Sequence, residues 1–67
     1  MREQMIQTLK QHAKANSQLH CMNIEVYLKN PAGIGEHSDV MEAIQSELDK
    51  MAMHEDRLDI LHNYFNE

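Results

Sequence analysis

Imidazole is the side chain with the most chemistry to offer in this chain: five of the 67 residues are His, a group that moves protons near neutral pH and ligates transition metals. Two helical segments running antiparallel would bring His12 opposite Glu55, while Asp59 and His62 stand three residues apart on one face. A transition metal inside a helical bundle would therefore use His12, Glu55, Asp59 and His62. The set falls short of the di-iron bundle pattern, which requires Glu-x-x-His on separate helices. That tetrad occurs nowhere, and Asp59-x-x-His62 is its only approximation. Spacings this loose arise by chance, so these residues read as surface or boundary groups, and neither a metal nor another cofactor is expected.

Catalytic signatures are equally thin. Cys21 is the single cysteine, and it would be a nucleophile only with a base beside it. His20 is adjacent in sequence but points about 100° away on a helix. A structural thiol, buried or half-buried, is the expectation. Gly33-Ile34-Gly35 lacks the lysine and threonine of a phosphate loop and follows a helix rather than a strand, which leaves turn chemistry. No nucleophile with its base and no pocket-forming length are present, so the protein is not expected to be an enzyme.

The elements that position these residues are legible from periodicity. Val40, Ile44, Leu48, Met51, Leu58, Leu61 and Phe65 recur at steps of three and four, interrupted by Glu55, and predict a helix over about 38–65 with Ser38 as its N-cap. Glu55 on this stripe reads as a rim residue, snorkelling or paired with a base. Met5, Leu9, Leu19, Met22 and Val26 form the stripe of a first helix over about 2–29, thinned in the middle by His12 and Asn16. Asn16, Asn23 and His20 are read as exposed, with a register-fixing polar core as the alternative. Ile24 to Leu28 alternates like a strand but has no second strand to pair with. The only Pro and both Gly fall within residues 30–35, which places the turn at about 30–37, and Asn30 must leave helical geometry because it precedes Pro31.

The expected architecture is all-α, an antiparallel two-helix hairpin forming a single domain, in which residues whose numbers add to about 67 face each other. That register places Val26 by Met41, Leu19 by Leu48, Leu9 by Leu58 and Met5 by His62. One interface cannot hold all the apolar residues. Tyr27, Ile60, Leu61, Tyr64 and Phe65 are left for a second contact, and a homodimer forming a four-helix bundle supplies it. Oligomerisation also answers the small size of the chain, which buries only about 60% of its unfolded surface.

Charge narrows the partners. The net charge of -5 is unevenly spread: residues 1–30 carry four bases against two acids, and residues 31–67 carry two bases against nine acids. This asymmetry favours antiparallel pairing by modest, salt-screened amounts and gives the second helix an acidic outer face. Four scattered bases without aromatic interleaving do not make a nucleic-acid site. No run approaches the roughly 20 apolar residues of a membrane span, and the start resembles no signal peptide, so a cytoplasmic location is expected.

The stretch from Asn23 to His37, followed by Asp39-Val40, Glu42-Ala43-Ile44, Glu47-Leu48 and Tyr64-Phe65, resembles small uncharacterised proteins of marine T4-like bacteriophages. The likeness spans roughly residues 19–65. It implies a setting, the cytoplasm of an infected bacterium, and with it a host or phage protein as a further partner. It implies no mechanism and transfers no functional residue. The function expected is that of a small non-enzymatic protein–protein interaction module acting as a homodimer, with a metal-binding bundle as the alternative.

Overall fold

The computed structural model of the protein describes residues 1–30 and 37–65. Helix α1 spans Arg2–Lys29 and helix α2 spans His37–Tyr64, 28 residues each, and the two pack against each other along their length. The hairpin is all-helical among the described residues. At 1.5 Å per residue each helix is about 42 Å long, which accounts for the 48 × 15 × 13 Å envelope.

Local signals explain the helix ends. Glu3 and Asp39 place negative charge in the first turns, and Lys29 and His62 place basic groups in the last turns, complementing the helix dipoles. Asn30 leaves the helical region at φ -141° and ψ 62° while its N–H still reaches the Val26 carbonyl at 3.0 Å. The residue before proline cannot continue the helix. Helix α2 begins at His37, one residue ahead of the start that Ser38 marks in the sequence. The turn sequence 31–36, Ile34 included, lies outside the described residues. Helix α1 is unbroken through Ala15-Asn16-Ser17 and through Ile24 to Leu28.

The face that α1 turns to its partner differs from the one its most apolar stripe predicts. The α1 row turned to α2 is Ile6, Lys10, Ala13, Ser17, His20, Ile24 and Tyr27, and the α2 row is Val40, Ile44, Glu47, Met51, His54, Leu58 and Leu61, with Asn16 and Ala43 half-buried beside them. Both rows alternate steps of four and three, the spacing of a coiled-coil seam. On α2 this is close to the expected stripe, with Leu48 and Phe65 left exposed. On α1 the whole row is rotated by one residue, about 100°, so Met5, Leu9, Leu19, Met22 and Val26 all face outward. The expected contacts of Val26 with Met41 and Leu19 with Leu48 are therefore corrected, since all four residues are exposed. The register itself keeps residue numbers adding to about 67, as in the pairing of His20 with Glu47.

Sterics and hydrogen bonding give the reason for the rotation. Ala13, 2% exposed, and Ser17, 4% exposed, are the small residues that let the helices approach at mid-length. Turning His12 and Asn16 inward instead would put larger polar groups at that point. The Asn16 amide is served by its own helix, donating to the His12 carbonyl at 2.8 Å.

Ala13 and Ala15 lie on the same helix but only Ala13 is buried, which separates overpacking from helix propensity. Ala13→Phe is expected to lower stability by about 1 to 3 kcal/mol, whereas Ala15→Phe should stay within about 0.7 kcal/mol, the cost of propensity alone. Thermal unfolding followed by circular dichroism at one protein concentration checks the difference.

Candidate functional site

The middle of the seam is polar, and that is where the titratable groups converge. Glu47 on α2 is 8% exposed. Its Oε1 accepts two hydrogen bonds from α1, from His20 Nδ1 at 2.9 Å and Asn23 Nδ2 at 2.7 Å. A carboxylate can only accept, so the His20 proton facing it sits on Nδ1. Lys50, one turn further along α2, brings its Nζ to 3.7 Å from Oε2. The hydrogen bond from His20, then that from Asn23, hold the Glu47 carboxyl below its ordinary value of 4.5. Burial opposes them, and the Lys50 charge adds to them.

About two turns beyond Glu47 on α2, the contact with α1 continues through His54 and Glu55. Ser17 donates its hydroxyl to Glu55 Oε2, a contact between the two helices that satisfies a serine with almost no access to water. His54 is 6% exposed and lies between two imidazoles of α1. Its ring centroid is 5.8 Å from that of His20, with the planes nearly parallel at 11°, and 5.9 Å from that of His12, with the planes at 66°. The His54 Nδ1 is buried without a hydrogen-bond partner. Burial, followed by the positive charge of Arg57 and the neighbouring His20 and His12, pushes the His54 imidazole below its ordinary value of 6.5.

This geometry separates the four residues suggested as metal ligands. His12 meets His54, Glu55 takes the Ser17 hydroxyl, and Asp59 and His62 lie exposed on α2. Among the described residues, no three His, Cys, Asp or Glu side chains are gathered as a metal ion would need. Cys21 is exposed rather than half-buried; it lines an open groove along α1 with Gln18, Met22, Glu25, Val26 and Lys29. Of the residues expected at a second contact, Ile60, Tyr64 and Phe65 are exposed, while Tyr27 and Leu61 are half-buried along the seam.

Sequence reading missed Glu47 and His54. Both stand on the α2 stripe, at the steps between Ile44 and Met51 and between Met51 and Leu58, so the three-four periodicity held the signal. Leu48 and Glu55, each one residue later, drew the stripe away from them. Position on a seam, rather than residue type, was the clue.

A second feature is the outward row of α1. Leu9 and His12 share a cleft of about 400 Å³ with Arg57, Ile60 and Leu61 of α2, so both helices contribute to one partly apolar face. Met1, Met5 and Leu9 line a further apolar groove towards the start of α1.

The class defined by this fold and site is an antiparallel helical hairpin with a polar seam and an apolar outer face. No family model, curated protein or solved structure matches the chain.

Glu47→Leu keeps the volume but removes the acceptor of His20 and Asn23. The loss expected is about 1 to 2 kcal/mol, the modest part of the range for a charged hydrogen bond because Asn23 remains open to water. Glu47→Gln, which retains an acceptor, should cost less. The folded state takes up the Glu47 proton later than the unfolded chain does. Its stabilisation is therefore present above pH 4.5 and is lost as pH falls through the depressed value. Urea titrations at a series of pH values should show this acid limb in the native protein and a flatter one in Glu47→Gln.

Proposed function

We propose that the protein is a non-enzymatic interaction module that works as a homodimer, two hairpins joining by their apolar faces into a four-helix bundle. The observation that carries this reading is the outward orientation of the α1 apolar row, with Met22 67% and Val26 62% exposed. Arg57 and Ile60 of α2 border the same face.

Size argues for a second copy as the occupant. A compact chain of 67 residues has a radius of gyration of about 11 Å, and this hairpin has 15.1 Å. Among the described residues only Ala13 and Val40 are buried apolar side chains. A single layer of two helices has no interior to hide its remaining apolar residues, whereas pairing two such layers creates one. The matching length of the helices suits a two-fold arrangement, in which the same patch serves both copies.

The buried polar residues support a structural role over a catalytic one. Ser17, Glu47 and His54 are buried between the helices, each meeting a residue of the opposite one, so a substrate would have to part the hairpin to reach them. The outer side of α2 carries Glu42, Asp49 and Asp56 at seven-residue spacing, all exposed. In the proposed bundle this acidic row remains free to meet a further protein partner. No described helix is long and apolar enough to cross a membrane. The setting we propose, the cytoplasm of an infected bacterium, rests on the resemblance to small phage proteins alone.

Light scattering behind size exclusion tests the reading. The native chain is expected at the mass of a dimer, and Leu19→Asp, at an exposed position on the α1 row, should shift it to a monomer. A native protein that is a well-folded monomer would overturn the proposal. Stoichiometric transition metal on the same peak would replace it with the metal-binding bundle.

A further inference from the structure

A buried imidazole with no acceptor is an unstable place to put a proton, and the hairpin holds such a group between two others of the same kind. We propose that His54, packed between the His12 and His20 rings, is an acid-sensitive latch: its protonation places a positive charge and an unpartnered N–H between α1 and α2 and releases the seam.

The surroundings of His54 give its Nδ1 no acceptor and set further basic side chains beside it. Across the seam, α1 presents the His12 and His20 rings at 5.9 and 5.8 Å. On α2 itself, Arg57 lies one turn beyond and Lys50 one turn before. The nearest carboxylates direct their hydrogen bonds elsewhere, Glu47 to His20 and Asn23 and Glu55 to Ser17, and neither accepts from His54 Nδ1. The His54 Nδ1 faces no acceptor, so an imidazolium there would bury an N–H without a partner as well as a charge.

The sign follows from linkage. His54 is held below its ordinary value of 6.5 in the folded state, so the unfolded chain binds this proton first. Stability is complete above that value and falls as the solution is acidified through it. Glu47 stays ionised over this range, because its carboxyl lies below 4.5. The loss of stability from His54 begins at the ordinary imidazole value, well above the acid limb of Glu47, and this separates the two.

The latch concerns the contact of α1 with α2 within one chain and does not rest on the proposed homodimer. Light scattering at each pH reads the association state separately from the melting of the helices.

The experiment compares thermal unfolding of the full chain at about pH 7.5 and pH 5, followed by circular dichroism at one protein concentration, with that of His54→Leu. The native protein is expected to lose about 5 °C or more on acidification, and His54→Leu to lose less than half as much. A melting temperature independent of pH, or an equal fall in both proteins, would overturn the proposal. Titration of the histidine ring protons by NMR in the native chain keeps the test decisive should His54→Leu fail to fold. The His54 ring is expected to take up its proton only below its ordinary value, together with loss of helical dispersion. A His54 that protonates at or above its ordinary value within an intact hairpin would overturn the latch.

Discussion

A carboxylate enclosed between two helices has to be given donors, and the middle of this hairpin is arranged around that requirement. Glu47 comes from α2 and both of its close donors, His20 and Asn23, come from α1. Sliding one helix by a turn or rotating α1 by one residue would take this pair of donors away from the carboxylate. The same constraint operates at Ser17, whose hydroxyl reaches Glu55 across the seam. Buried polar pairs of this kind contribute little net stability against an apolar replacement. Breaking one is costly, however, because the surviving partner is left unpaired, and this penalty discriminates against other registers.

Directing polar groups inward has a consequence for the outside. The apolar residues of α1 divide between two neighbouring rows. Ile6, Ile24 and Tyr27 lie on the seam and Met5, Leu9, Leu19 and Val26 lie outside it. The hairpin uses the first row and leaves the second in water. Isolated exposed apolar residues are common on protein surfaces, but a row along one helix, joined at a shared cleft by Ile60 of the other, has the character of an interaction surface. The proposed homodimer and the polar seam are thus two results of one choice of face. A seam rich in hydrogen bonds specifies how the helices meet, and the apolar face supplies the burial that a two-helix layer lacks.

The histidines illustrate how context assigns a role to a residue type. His62 is exposed near the end of α2, where its main effect is on the helix dipole. His20 is a donor with a defined tautomer. His54 is enclosed between rings and has no hydrogen-bond partner at Nδ1. An imidazole near Arg57 and two further imidazoles is most stable in its neutral form, so the hairpin depends on the protonation state of a group whose ordinary value lies close to physiological pH.

Much of the architecture was legible in the chain itself. The clustering of Pro31, Gly33 and Gly35, the restriction on Asn30 and the three-four periodicity of residues 40–61 are local or one-dimensional signals, and they suffice for two helices of equal length and an antiparallel register. The face of α1 was not legible, because two rows one residue apart carry comparable apolar content at the ends and polar residues in the middle. Their periodicities are identical, so hydrophobic spacing cannot rank them. Only the tertiary structure decides, since the ranking depends on whether Ser17, His20 and Asn23 find acceptors on the other helix and whether Ala13 is small enough for the backbones to approach. Hydrogen-bond complementarity and steric fit belong to the pair of helices and are absent from either strand of residues read alone.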